Sequence, residues 1–295
     1  MAPSVILSES EAEGKGANRE PTPLEAISHG DIMPGIPSFP TFTAARRHTL
    51  VHMAATFRQW SRQSYAEGQS GHISVRDPEF PSCMWMNPLG RHFGQLRAGD
   101  FLLLDIATGR ILSGGSNPAT GRRTANAAGY YIHSAIHKAR PDSVHAICHA
   151  HTRAGRAWSV FARKLDMLTQ DVCNFYEAHA VYANYGGIVF GAEEGERIAE
   201  ALSAGKGRNK GVILMNHGLL TVGETVDEAG FLFGLLERSC GIQLAVEAAA
   251  AGGGGLKKHV IADEEAEYNY RMASEKNVLY REAQGDLEME MELAG

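Results

Sequence analysis

The chain has 295 residues, 44% of them hydrophobic and 21% charged, with a formal net charge of -6. That apolar share supports a buried core in one large domain or two small ones, and the acidic balance speaks against nucleic-acid binding, which needs Lys and Arg clustered against phosphates. No apolar run approaches the ~20 residues of a membrane span, and the N-terminus lacks the charged-then-apolar pattern of a signal peptide, so a cytoplasmic protein is expected. Cys83, Cys148, Cys173 and Cys240 have no paired spacing and read as reduced, buried thiols. The 13 histidines are the anomaly, because several fall inside strongly apolar runs.

Residues 1–40 are rich in Pro, Gly, Ser and Glu without periodicity and read as a mobile arm. From Thr43 to about Gly68 the spacing of Leu50, Met53, Ala54, Phe57 and Trp60 predicts a helix that Gly68 ends. Strand-like stretches follow: HISVRD, CMWMN and FLLLDIATGRILS, the last folded at its ATG turn. Asn126 to Ala139 predicts a helix stopped at Arg140-Pro141, since proline disfavours the helical conformation before it. VHAICHAH is a buried strand leading to a helix near Arg153–Phe161, and a further helix spans about Glu193–Ala204. The strand GVILMNHG, the stretch LLTVG and a long helix from Thr225 to about Ala251, stopped by four glycines, complete the pattern. Strands with helices before, between and after them predict an α/β layered domain over residues 41–255. Residues 256–295 read as a helical extension whose end, DLEMEMELAG, is a solvated acidic tail.

Two short motifs carry chemistry. His149-Ala150-His151 ends an apolar strand, and residues i and i+2 of a strand share a face, so two imidazoles can chelate one cation. The competing reading is a pair of hydrogen-bonded histidines at a strand end. Asn216-His217-Gly218 follows the apolar strand GVILM, and a glycine there permits close backbone approach. Strand ends in α/β sheets collect ligands. Three histidines at two strand ends would form a facial nitrogen site with open positions, the pattern of a catalytic metal site.

GQSGHISVRD, NPLGRHFGQLRAGDFLLLD, NAAGYYIHSAIHKARPDSVHAICHAH and GVILMNHGLLTVGETVDEAGFLFGLLERSC stand in this order between Thr43 and Glu247. Together they resemble the class II aldolase/adducin family, most of all its eukaryotic-type aldolase-like branch, for which IHSAIHKARPD and LTQDVCNFYE are typical. The resemblance implies a three-layer αβα fold around a central, mainly antiparallel β-sheet. It implies a divalent metal on His149, His151 and His217, Zn2+ before Fe2+ or Mn2+, and C–C bond cleavage through a metal-stabilised enolate. It also implies a small-molecule carbonyl or keto-acid substrate and a homotetramer with active sites between subunits.

The chain departs from the family at several positions. The Ser-Ser-Glu run of the sugar-phosphate aldolases falls on Ala127-Ala128-Gly129, without the acid/base carboxylate and both phosphate-binding hydroxyls. Gly71-His72 stands for a Gly-Asn pair, and Pro88-Leu89-Gly90 for a Thr-Gly turn. Gly71, His72, Leu89, Gly90 and Gly129 are thus expected around a substrate that is not a sugar phosphate. The family's proton donor, carried across the subunit boundary some twenty residues after HxH, corresponds to Gln170, Asp171 or His179. Arg91 and Arg97 are expected on the solvated surface, and the i,i+4 pair His133 and His137 in packing and hydrogen bonding. Trp85, Phe93, Phe175 and Tyr176 suggest an aromatic pocket lining suited to a carboxylated or aromatic keto compound.

Three functions follow from this reading. The favoured one is a metal-dependent aldolase-like lyase. The second is a non-haem iron oxygenase or decarboxylase on the same three histidines, since zinc has no redox chemistry. The third is a non-catalytic adducin-like scaffold, disfavoured because the three ligands are retained and adducin's basic tail is absent.

Overall fold

The computed structural model describes residues 19–187 and 191–294; of the expected mobile arm, residues 1–18 lie outside the described part. Eight short strands are joined in one sheet: β1 (His72–Arg76), β2 (Cys83–Met86), β3 (Leu102–Asp105), β4 (Ile111–Gly114), β5 (Ala146–Ala150), β6 (His179–Tyr182), β7 (Gly211–Leu214) and β8 (Gly218–Gly223). Their order is β4-β3-β2-β1-β5-β8-β7-β6, and every neighbouring pair is antiparallel except β6 with β7. The helices are α1 (Pro23–Ile27), α2 (Phe42–Arg62), α3 (Ala127–Ala139), α4 (Arg153–Ser159), α5 (Ala192–Ser203), α6 (Val226–Ala251), α7 (Asp263–Ala273) and α8 (Lys276–Ala294).

Both faces of the sheet are covered, which is why its central strands read as continuous apolar runs. On one face Ala146, Cys148 and Ala150 join a core with Met53, Phe57 and Trp60 of α2, Trp158 of α4 and Leu232, Phe233 and Leu236 of α6. On the other, Ile147 joins Ile132 and Ile136 of α3 and Ile198 and Leu202 of α5. His149 shares its strand parity with Ile147 and so belongs to the α3 side. The mixed α/β sheet with helices on both faces agrees with the expected fold class.

The helix limits follow from local chemistry. Asn126 Oδ1 caps α3 by accepting from the Gly129 amide at 2.9 Å, and the helix stops before Pro141 as expected. α2 ends six residues earlier than Gly68, because Ser64 adopts a left-handed φ of 62° just past the Gln63 cap. β6 escaped the sequence pattern: it is four residues long and follows a 3-10 turn (Asp171–Phe175).

The C-terminal acidic stretch is solvated on one side only: Asp286, Glu288 and Glu292 are exposed, while Leu287 and Glu290 are buried. It forms the end of α8, where Leu287 packs with Ala55 and Ala283, and Glu290 accepts from Arg62 Nε at 2.5 Å. At Glu290 a paired guanidinium replaces the expected hydration. At 26 residues and a mean hydropathy of 1.2, α6 is long and apolar enough to cross a membrane, yet 61% of its most apolar window is buried within the protein. It is the central helix of the larger core. His52 on α2 meets Asp227 on α6 at 2.6 Å, and Gln284 of α8 donates to the same carboxylate oxygen at 2.9 Å, which ties the three helices together. All four cysteines are free and buried.

One buried carboxylate bears on the site. Glu237 of α6 accepts from the amides of Ala154 (2.8 Å) and Gly155 (2.6 Å) and from the Thr152 hydroxyl, satisfying the otherwise orphaned donors that open α4. This fixes the chain directly after His151. Glu237→Ala is expected to lower folding stability by about 2–4 kcal/mol, the cost of leaving several buried donors unpaired. Urea denaturation measures it, and an unchanged midpoint would contradict the anchoring role.

Candidate metal centre

The register of the sheet assembles three histidines from two strand ends. His149 lies at the end of β5, opposite Leu220 of β8, and His151 follows two residues later. His217 sits in the tight turn between β7 and β8, whose amide bonds back to the Leu214 carbonyl at 3.0 Å. That turn needs Asn216 at a φ of 56°, a region asparagine tolerates better than most residues. A Cβ on Gly218 would approach the Ala150 carbonyl oxygen to 3.0 Å, so the glycine lets β8 close against β5. One ligand nitrogen from each of His149, His151 and His217 lies within 4.8 Å of the others, and the ring centroids are 4.8–5.1 Å apart.

These rings suit a cation. His149 Nδ1 donates to the Leu219 carbonyl at 2.8 Å, which leaves Nε2 with its lone pair. Burial, reinforced by neighbouring histidines, holds the His149 imidazole well below its ordinary pKa and brings His217 down to about 4. His151 is lowered by burial and then by the Arg156 guanidinium. Neutral imidazoles are the form that binds zinc or another divalent metal. The residues present therefore fit such an ion.

The pocket in front of them has a volume of about 460 Å³ and is walled by Ser70, Gly71, His72, Asn126, Ala128, Ile132, Arg156, Tyr185, Gly187 and Asn216 besides the three histidines. Gly71 and His72 thus line this pocket. At Gly71, with a φ of +122°, a Cβ would lie 2.9 Å from the Phe93 ring. Gly129 lies under His72 rather than in the pocket wall: a Cβ there would come within 2.6 Å of the His72 ring and of Met86 Cε. The missing side chain at 129 and the imidazole at 72 are one packing solution. Behind His72 runs a buried chain in which His72 Nδ1 meets His133 Nε2 at 2.8 Å, His133 Nδ1 meets Ser74 Oγ at 2.7 Å, and Ser74 Oγ meets His137 Nε2 at 2.9 Å.

Other expected site residues lie elsewhere. Leu89 is held by a bond from its amide to the Thr124 carbonyl at 2.7 Å, and Gly90 is an exposed turn residue with a φ of +87°; neither lines the pocket. His179 is buried on β6 with both ring nitrogens engaged, Nε2 by the Leu165 amide at 2.9 Å and Nδ1 by the Phe175 carbonyl at 2.8 Å, so its role is structural. Gln170 and Asp171 are exposed at the 3-10 turn, away from this pocket. Trp85, Phe93 and Phe175 belong to the main core and Tyr176 packs on its edge, so the aromatic lining is not formed by them. Arg91 pairs with Asp100 at 3.1 Å. Sequence reasoning missed Arg156, Asn126 and Tyr185. Arg156 could have been found, since it falls in the first turns of the helix that directly follows HxH.

A family model described as the Class II Aldolase and Adducin N-terminal domain matches residues 51–244. The chain belongs to the class II aldolase/adducin family. It is 38% identical over 226 residues to the meiotically up-regulated gene 14 protein of Schizosaccharomyces pombe, covering 77% of this chain and 82% of that one. It is 40% identical over 214 residues to a 4-hydroxy-3-prenylphenylpyruvate oxygenase/4-hydroxy-3-prenylbenzoate synthase of Streptomyces roseochromogenus, covering 72% and 73% of the two chains. Among solved structures, an L-fuculose 1-phosphate aldolase from Glaciozyma antarctica superposes with a TM-score of 0.77 at 34% identity, covering 88% of this chain and 95% of that one. These relatives support a lyase-type enzyme built on the class II aldolase fold.

Two measurements probe the buried histidines of this aldolase-family domain and the packing under its pocket. His137 and His179 are held down to about 3 and about 4, first of all by burial, whereas an unfolded histidine titrates near 6.5. Below that pH the unfolded chain binds protons that the folded chain refuses. Stability is therefore full above about pH 6.5 and falls toward the folded-state values, by up to about 1.4 kcal/mol per pH unit for each such histidine. Urea midpoints at pH 7.5 and 5.5 should show the loss, and a flat profile would refute it. Gly129→Ala is expected to cost about 1–3 kcal/mol by overpacking and to push the His72 ring out of place; wild-type thermal stability in that variant would show that the ring is not confined.

Proposed function

We propose that this chain is a metal-dependent, aldolase-like lyase that makes or breaks a C–C bond beside the carbonyl of a non-phosphorylated keto compound. The observation that carries the reading is the convergence of three neutral imidazoles from two strand ends on a pocket with an open side. A divalent cation held by His149, His151 and His217, zinc before iron or manganese, supplies Lewis-acid polarisation of a carbonyl oxygen. Arg156, partly exposed and paired with Glu67 at 2.8 Å, is placed to exchange that partner for a substrate carboxylate. The helix start at Ala127-Ala128-Gly129 offers no hydroxyl or carboxylate, which disfavours a phosphorylated substrate and leaves the proton shuttle to other groups. Gln170 and Asp171 are proposed for that role on the pocket of a neighbouring copy, in a homotetramer of the kind the family resemblance implies. A cytoplasmic location belongs to the same reading.

A second reading keeps the ligands and changes the metal. The Streptomyces relative is named an oxygenase, and a facial set of neutral nitrogen donors also accommodates Fe2+. Metal analysis of the protein purified without chelator separates the two. About one zinc or manganese per chain, lost in His149→Ala/His217→Ala, is the expected result for a catalytic site of this type. Iron, with oxygen uptake in the presence of keto acids, would replace the lyase by the oxygenase. No metal in either protein, with folding unchanged, would overturn both.

A further inference from the structure

The buried chain under α3 has a direction, and its direction is set at the end far from the pocket. His137 Nδ1 lies 3.3 Å from the Val144 carbonyl oxygen, which can only accept. Arg76 Nη2 stands 3.5 Å from the same nitrogen, at the outer limit of a hydrogen bond and farther than the Val144 oxygen, and the better placed of its two N–H groups goes to the His137 carbonyl at 2.7 Å. His137 Nδ1 therefore carries the proton and Nε2 is an acceptor. Ser74 Oγ must donate to that Nε2 and accept from His133 Nδ1, which makes His133 Nε2 the acceptor for His72 Nδ1–H. Ser74, His133 and His137 are 0% exposed and His72 4%, so water does not interrupt the sequence. Three rings and one hydroxyl thus transmit the polarity of a backbone carbonyl to the pocket wall. With Nδ1 committed inward, Nε2 is the hydrogen-bonding atom that His72 has left for the pocket.

We infer that His72 is a fixed hydrogen-bond acceptor of the pocket, its tautomer imposed by His133, Ser74, His137 and the Val144 carbonyl, and that it selects ligands with a hydroxyl or enol O–H beside their metal-binding oxygen. The lone pairs of His149, His151 and His217 are directed to a cation, Arg156 only donates, and Asn126 Oδ1 is spent on its cap. Ser70, Tyr185 and Asn216 also bring oxygens to the wall, but none of the three is buried and each carries a donor as well. His72 Nε2 is thus the buried, orientation-fixed acceptor that the wall offers to an O–H on the ligand. Gly129 provides the room, since any larger residue would occupy the ring's place. The selectivity half of the inference rests on the metal-pocket reading; the tautomer half does not.

Solid-state NMR of the 295-residue protein as purified, with labelled histidine, tests the tautomer directly. A protonated Nδ1 and an unprotonated Nε2 at His72 are expected, with the single tautomer lost in Ser74→Ala, where the chain is cut. A protonated Nε2, or a tautomer indifferent to Ser74→Ala, would overturn the relay. Competition between glycolate and methoxyacetate tests the selectivity, because the ether keeps the oxygen and removes the donor. The wild type is expected to prefer glycolate by about tenfold, the worth of one good hydrogen bond, and His72→Leu, checked for wild-type metal content, to lose that preference. Equal binding by the wild type, or a preference that survives in His72→Leu, would overturn it. Failure of the metal reading would show separately, as absence of metal while the His72 tautomer stays as assigned.

Discussion

β5 is paired on one side with β1 and on the other with β8, and the register of these two antiparallel ladders sets the distances in the pocket. His149 faces His72 across one ladder and, across the other, Leu220, which lies three residues after His217. A slip of one residue would turn His149 toward the α2–α6 core and Cys148 toward the pocket. The register is held because Ala146, Cys148 and Ala150 fit one apolar layer and Ile147 the other. The donor set is therefore a consequence of core packing, and the chelating geometry does not depend on a flexible loop.

The electrostatic character of the site follows from what surrounds those rings. The three donors are neutral, and the pocket wall among the described residues carries a guanidinium and no carboxylate. Such a site leaves a bound divalent cation's charge uncompensated and favours an anionic ligand. The same arrangement separates two kinds of histidine. His149, His151 and His217 face the open pocket, whereas His133 and His137 satisfy one another through Ser74 in full burial. His72 stands between the two groups and belongs to both.

Much of this was legible in the sequence, because the relevant signals are local. Period-two alternation around His149-Ala150-His151, the Asn-His-Gly turn and the Pro141 stop each state their structure within a few residues. Legibility failed where the answer depended on distant partners. Leu89 and Gly90 read as pocket residues only by analogy with a turn that this chain builds differently, with Leu89 tied to Thr124. His179 reads as available for proton transfer in the sequence, whereas two backbone groups, at Leu165 and Phe175, occupy both its nitrogens. The acidic end of the chain looked solvated because charge alone does not show that Arg62 is waiting in α2 for Glu290. The absence of a carboxylate at Gly129 was visible in the sequence, but its cause, the His72 ring lying against that backbone, was not.

Anomalous diffraction from crystals of the full-length protein, recorded on both sides of the absorption edge of the metal found in it, tests the central claim most directly. One strong peak per chain is expected, bonded to His149 Nε2 and to one ring nitrogen each of His151 and His217, with no protein carboxylate among its ligands. A peak elsewhere, or one in which Glu67 or another carboxylate takes the place of a histidine, would contradict it.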